Sequence, residues 1–327
     1  MTLMEILTLL FKLTVFPGFA FLFVGSLLTE WYKRKVVARM ENRMGPSYTG
    51  PIGLLQPLAD FFKLLTKEEI IPRGADSVAV RAAPLLTAAC YIFALYFIPV
   101  TGRALVDPPA GLLIVLLITA MASGTLYAMG WASANPYSVI GAVRVLSQVL
   151  GFDIPLFALS LVPAILTGSL SVTEISHSII PTLIEKPWLI PLWLASLATY
   201  IIAMQGEIEE NPFNIPDAEQ EIVAGYFTEL SGRNLAFFDL ARDSQFLFLC
   251  AIASTLYLGG PYPVLDPYGI SAVALTLGKT LLIITISMGI KATSARIRLD
   301  QAIMNFWRIG TPISLILLGV TALVGGV

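Results

Sequence analysis

The residues best equipped to do chemistry in this chain are carboxylates. Seven of them, Glu207, Glu209, Glu210, Asp217, Glu219, Glu221 and Glu229, fall within 23 residues. Carboxylates crowded this closely cannot all ionise at their ordinary pKa values, so some are expected to be raised and to exchange protons near neutrality. Pro212 and Pro216 forbid one continuous helix through the segment. A second helix is expected from about Pro216, with Asp217, Glu219 and Glu221 in its first turns, where the helix dipole favours acids. That dipole accounts for part of the cluster. It does not explain why Glu207 closes an apolar run, or why Glu229 follows Val223, Ala224 and Gly225. The composition is that of a proton or cation path.

Asp153 and Arg144 stand apart from this cluster, inside the apolar stretch VRVLSQVLGFDIPLFAL. An ionisable group at membrane depth costs about 2.5 kcal/mol or more, which makes each a functional candidate. Pro155 lacks an N–H, so it frees the carbonyl of Gly151 and leaves a polar spot beside Asp153. Arg144 and Gln148 are one turn apart and share a face. Asp153 lies nine residues from Arg144, on the opposite side of a helix at about 100° per residue. The two are therefore not a local ion pair, and each must look to another helix or to water. The plainer reading of both is an ion pair that fixes helix packing.

Other chemistries lack their residues. Cys90 and Cys250 lie far apart in apolar runs, and His177 is the one histidine; it reads as a loop residue on the outer side. There is no Cys-x-x-Cys, no histidine pair at metal spacing and no glycine-rich phosphate loop. The chain itself is expected to bind no metal and no cofactor, and its basic residues form no array that would track nucleic acid.

The elements that must position these groups are membrane helices. Hydrophobic residues make up 56% of the 327 and charged ones only 13%, about half the charge of an average soluble protein. Windows of roughly 20 apolar residues recur at about 3 to 29, 82 to 101, 110 to 132, 138 to 168, 187 to 205, 236 to 259, 271 to 291 and 308 to 326. The fold class expected is an all-α integral membrane bundle of about eight helices, one membrane domain over 1 to 327. Nine of the 20 basic residues lie between Lys33 and Arg81, and nine of the 22 acids between Glu207 and Asp243. The loops after the first, third, fifth and seventh spans hold 15 Lys and Arg, against Arg103 and Lys186 on the other side. The positive-inside rule then puts both termini outside, in the plasma membrane. Within the cytoplasmic loop at 30 to 81, Leu54, Leu55, Leu58, Phe61, Phe62 and Leu65 suggest a helix lying on the lipid surface. The acidic loop at 206 to 243 and a basic loop at 291 to 308 complete the cytoplasmic side.

Four separated blocks carry a resemblance: ENRMGPSYTGPIGLLQPLADFFKLLTKEEIIP at 41 to 72, GWASANPYSVIGAVRVLSQVLGFDIPL at 130 to 156, ENPFNIPDAEQEIVAGYFTELSG at 210 to 232, and RIRLDQAIMNFWR at 296 to 308. The chain resembles the H subunit of bacterial complex I, known as subunit 1 in mitochondria, together with its relatives in membrane-bound [NiFe] hydrogenases. The resemblance implies an eight-helix subunit at the heel where a redox arm meets an ion-pumping arm. Partners would be hydrophilic, hydrogenase-like redox subunits carrying iron–sulfur clusters and nickel–iron, antiporter-like membrane subunits, and lipid. It implies a partner seat at Arg43, Gln56, Asp60, Lys63, Arg296, Arg298 and Asp300. It also implies an ion-translocating role for Glu207, Asp217, Glu219, Glu221 and Glu229, and for Asp153, which stands where the family has a glutamate before Ile-Pro.

Two departures bear on the branch. Quinone-reducing members read Glu-Arg-Lys where this chain has Lys33-Arg34-Lys35, and Gly-Glu-Tyr where it has Ala241, Arg242 and Asp243. A base in place of each family glutamate changes the local charge by two, which points to the hydrogenase or sulfur-reducing branch, moving protons or sodium. The alternatives are the quinone-site subunit of an NADH:quinone oxidoreductase, a stand-alone secondary transporter, and a passive anchor. No convincing repetition between the two halves supports the transporter.

Overall fold

The computed structural model describes residues 3–264 and 270–325; the expected end of the last span at residue 326 lies outside them. Helices and turns, with no strand, make up the described residues. Seven helices are long and apolar enough to cross a membrane.

The first expected span is two helices, α1 (Leu3–Thr14) and α2 (Phe19–Met40). The chain turns at Pro17 and Gly18, where an N–H and then a side chain are missing. Helix α2 runs on to Met40, so Glu30, Lys33, Arg34 and Lys35 ride on a helix and not on a loop. The surface helix is α3 (Gln56–Thr66). Asp76 caps α4 (Ser77–Leu95), accepting from the backbone N–H groups of Val78 at 3.0 Å and Ala79 at 3.3 Å. Helix α5 (Gly111–Ala132) precedes α6 (Pro136–Thr167), which starts on the capping side chain of Asn135, passes Pro155 and Pro163 unbroken, and stops at Gly168 with φ +71°.

Helix α7 (Val172–Glu185) occupies a stretch read as outer loop, and His177 therefore sits on a helix. Ser171 accepts the N–H of Glu174 at 3.3 Å, and Val172, Ile175, Ile179 and Leu183 are buried on one face. A capping serine and an amphipathic period make a helix here without the length of a span. Helix α8 (Ile190–Glu207) leads into the acidic segment. The second helix expected there is a single turn, α9 (Glu219–Ile222), ended by Val223 at φ +62°, a conformation that β-branched residues resist. Asp217 lies before that turn, not in it.

Helix α10 (Gly232–Leu258) is the sixth expected span. It is not among the seven by apolarity, because its first half carries Arg233, Asp239, Arg242 and Asp243. Burial of almost every residue from Ala236 to Tyr257 puts it at the centre of the bundle, packed on α2, α3, α4 and α7 and on α11 (Ile270–Thr293). Phe61 of α3 meets Phe23 of α2 and Phe237 of α10 edge-on, with ring centroids 5.3 and 6.4 Å apart. Helix α12 (Leu299–Asn305) continues through a wider-wound turn, 306–310, into α13 (Thr311–Gly325). The basic loop at 291 to 308 thus shrinks to the few residues between Thr293 and Leu299.

Lipid supplies no hydrophobic drive between helices, so hydroxyl contacts and close packing join them, each hydrogen bond adding roughly 0.6 kcal/mol. Ser26 meets Ser244 at 3.1 Å, Ser254 meets Thr280 at 3.0 Å and Thr87 meets Thr125 at 2.6 Å.

Candidate functional site

The site is built around the turn that follows α8. Gly206 lies flat against Phe152 of α6; a Cβ there would come within 2.0 Å of the ring. Carbonyls at a helix end have no intrahelical partner, and buried glutamines satisfy them. Gln148 of α6 donates to Gly206 O at 2.7 Å and Phe213 O at 3.0 Å. Gln245 of α10 donates to Glu207 O at 2.8 Å. Gln205 donates to Asn211 O at 2.8 Å and accepts from Ser287 of α11 at 2.6 Å. Three helices thereby clamp the backbone that carries Glu207, Glu209 and Glu210. Only Gln148 is noticeable in sequence; Gln205 and Gln245 carry no local signal.

Within this clamp the carboxylates form a line. Glu207 is buried, accepts from Ser123 of α5 at 2.9 Å, and leaves Oε2 without a partner. Its carboxyl faces that of Asp153, whose Oδ1 is also unpartnered. Two acceptors face each other with no donor between them, so a proton held between the oxygens would satisfy both. The buried hydroxyl of Tyr91 lies beside them, next to Ser123. Asp153 thus looks to α8, away from Arg144, as the helical angle requires.

Glu209, buried and at φ +58°, accepts from the hydroxyl of Tyr226 at 2.5 Å. Burial raises its pKa to about 7, with Arg242 and the tyrosine hydrogen bond opposing and the charges of Asp217 and Glu210 assisting. Burial and the same Glu209 charge push the Tyr226 hydroxyl well above its ordinary value. Glu210 goes the other way. Burial would raise it, but Lys291, at 2.7 Å, with Lys33 and Arg242 holds it below the ordinary range. Neighbouring acids are therefore pushed apart, one poised to titrate near neutrality and one fixed as an anion.

Around the mouth of this line runs a lattice of ion pairs. Lys33 contacts Glu30 at 2.6 Å and Asp243 at 3.0 Å; Arg34 contacts Glu30 at 2.6 Å and Asp60 at 3.1 Å; Arg242 contacts Asp217 at 3.1 Å. A polar cleft of about 310 Å³ lies among them, bounded also by Glu210 and Lys291. The two bases read as charge reversals, Lys33 and Arg242, are thus each met by an acid. Asp243 and Glu30 neutralise the first and Asp217 the second, so the net local change is smaller than sequence alone suggests. Glu30 escapes a sequence reading because α2 extends beyond the expected span; its spacing to Lys33 and Arg34 is helical.

The remaining candidates lie elsewhere. Arg144 reaches Glu221 at 2.5 Å, and Arg296 takes the other oxygen of Glu221 at 3.0 Å. Those hydrogen bonds, led by that of Arg144, hold Glu221 below the usual carboxylate range. Arg144 is therefore tied to the acidic loop, together with Gln148, and away from Asp153. Glu219 is exposed, and Glu229 accepts from Asn135 at the start of α6. Neither belongs to the buried line. At the surface, Gln56 accepts from Thr49 at 2.5 Å and donates to Asp60 at 3.0 Å, and Asp60 also meets Lys63 at 3.3 Å. Arg43 pairs with Glu41 at 2.6 Å, and Arg298 with Asp300 at 3.5 Å, both in the open. Met44 and Tyr48 stand almost wholly exposed between them.

A family model described as NADH dehydrogenase matches residues 12–322. The H subunit of the NADH-quinone oxidoreductase of Dehalococcoides mccartyi (strain CBDB1) is 36% identical over 307 residues, covering 93% of this chain and 84% of that protein. The protein of the same name from Thermomicrobium roseum is 37% identical over 310 residues, covering 90% and 89%. That of Carboxydothermus hydrogenoformans is 33% identical over 311 residues, covering 94% and 86%. These relatives bear quinone-type names and not hydrogenase-type ones. The chain is a multi-pass membrane protein and belongs to the family of the H subunit of NADH:quinone oxidoreductase, or complex I.

Proposed function

We propose that this chain seats the hydrophilic electron-transfer arm of an NADH:quinone oxidoreductase-type complex and couples redox change in that arm to ion movement in the membrane. The observation that carries the reading is the line of carboxylates, buried Asp217, Glu209 and Glu207 and half-buried Asp153, which leads from the charged face into the helix bundle. Electron transfer belongs to the arm, whose partners hold the iron–sulfur clusters. This chain contributes groups that hold and move charge. A change of charge in the cleft alters the hold of Arg242 on Asp217 and Glu209. Glu209, titrating near neutrality, then takes up or releases a proton, and Glu207, Ser123 and Asp153 pass the change inward to the antiporter-like subunits.

Asp153→Asn tests the reading. The reconstituted complex is expected to assemble and turn over electrons while its ion translocation collapses. Unchanged translocation would remove Asp153 from the path. A passive anchor is separated by Glu221→Ala, which would then lower assembly alone and leave the ions moved per electron untouched.

A hydrogenase-type arm is the second reading, favoured by Lys33 and Arg242, two bases where quinone-reducing members carry glutamates. Analysis of the intact complex for nickel and for inhibitor-sensitive quinone reduction separates the two readings. Quinone reduction supports the first, and abundant nickel without quinone dependence the second.

A further inference from the structure

Helices α2 and α11 meet where the hydroxyls of Tyr32 and Thr285 lie 2.8 Å apart, and part from each other beyond that point. Between them, over α10, runs a groove of about 430 Å³ walled by Leu22, Gly25, Leu28, Leu247, Leu281 and Ile284, with no charged side chain in its lining. Leu28, Leu277 and Leu281 are each about two-fifths exposed, so the groove opens sideways. Its residues on α2 run from Phe21 to Tyr32, a rise of about 17 Å at 1.5 Å per residue. That is about half of the ~30 Å hydrocarbon core, the depth of one leaflet. A neighbouring helix would cross both leaflets, whereas the groove runs the depth of one. The dimensions suit a single acyl chain.

Charge at one end specifies the head. The groove face of α2 passes Leu28 and Tyr32 and continues at helical spacing to Lys35 and Arg39. Lys35 donates to Pro46 O at 2.7 Å and Ile52 O at 3.2 Å, and Trp31 of the groove wall donates to the same Ile52 oxygen at 3.2 Å. The ammonium thus stands at the groove's end with a donor left over. Arg39 is exposed, and neither base has an acid partner among the described residues. Lys33 and Arg34, on the other side of the same helix, are consumed by Glu30, Asp60 and Asp243. We propose that the α2–α11 groove is a binding site for one anionic phospholipid, its acyl chain lying in the groove and its phosphate on Lys35 and Arg39.

The test uses the intact detergent-purified complex and phosphatidylglycerol bearing a photoactivatable acyl chain. Crosslinks are expected on α2 between Phe21 and Tyr32 and on α11 between Thr276 and Ile284, competed by unlabelled phosphatidylglycerol and not by phosphatidylcholine. Lys35→Gln and Arg39→Gln should each weaken labelling about five-fold, Lys35→Arg should restore it, and Leu281→Trp, which fills the groove from its exposed wall, should abolish it. Equal competition by phosphatidylcholine, displacement by a quinone, or crosslinking of these segments to another protein of the complex would each overturn the proposal. The outcome is independent of ion translocation, so it stands or falls apart from the coupling role.

Discussion

Glu209 makes a prediction that its own chemistry fixes. Its pKa of about 7 in the folded chain, against 4.5 for an ordinary glutamate, means that the folded state binds this proton more tightly than the unfolded one. The stabilisation is complete below about pH 4.5 and is lost as pH rises through 7, a change of about 3 kcal/mol at most. Glu210 and Glu221, held low, act with the opposite sign, their contribution being lost on acidification below their ordinary range. Glu209→Gln keeps an acceptor for Tyr226 and removes the titration. Thermal unfolding of the complex carrying it should decline less between about pH 5 and 7.5 than that of the parent, and an unchanged decline would assign the pH dependence elsewhere. Lys33 gives a second prediction at this scale. It stands between two acids and is itself buried, so Lys33→Met leaves uncompensated charge and should cost roughly 3–5 kcal/mol. Lys33→Met with Asp243→Asn should recover much of the loss, measured as complex yield and unfolding temperature.

At the level of elements, the end of α8 is fixed by contact rather than by any turn motif. Gly206→Ala places a methyl against the Phe152 ring, which is itself wedged between Phe213 and Phe306 at centroid distances of 5.0 and 3.9 Å. Overpacking of this kind costs about 1–3 kcal/mol and would displace Glu207 and Glu209 with the backbone. Lower unfolding temperature and weakened ion coupling are expected together. Gly151→Ala, one turn from the same region but with nothing within 4 Å of the added carbon, should change neither, and serves as the control. These contacts show why the sequence is legible only in part. Spans read well because lipid forces about 20 apolar residues together, and Asp153 and Glu207 stand out because acid in such runs is costly. Boundaries read poorly where charge rides on a helix, as on α2 and the first half of α10, since ion pairs with distant acids remove the penalty that would end a span. Helix α7 escapes because it is short and only one of its faces is apolar. Gln205, Gln245 and Tyr91 are invisible, for a neutral polar side chain shows its purpose only beside the group it satisfies.

For the whole molecule, the distribution of charge sets both orientation and partner. The ends of α2 and α8, the start of α10 and the segment between α11 and α12 bring most of the basic residues and the acidic cluster to one face, where Tyr48 is fully exposed and Arg298 largely so. The opposite face carries α7 and few charges. The positive-inside rule predicts that the first face is cytoplasmic and that both termini lie outside. Single cysteines introduced at Tyr48 and at Glu185, with Cys90 replaced by serine, test this directly. A membrane-impermeant thiol reagent should label Glu185→Cys in intact cells and spare Tyr48→Cys, and inside-out vesicles should reverse the pattern; labelling of Tyr48→Cys from outside would invert the topology. The same position also reports on the seat. Met44 and Tyr48 stand almost wholly exposed on this loop, so under the proposed seat vesicles that retain the hydrophilic arm should protect Tyr48→Cys while vesicles stripped of it should not. Equal labelling in both would leave the orientation standing and move the arm off this loop, because reagent access to one exposed side chain depends on its immediate cover and not on the side of the membrane alone.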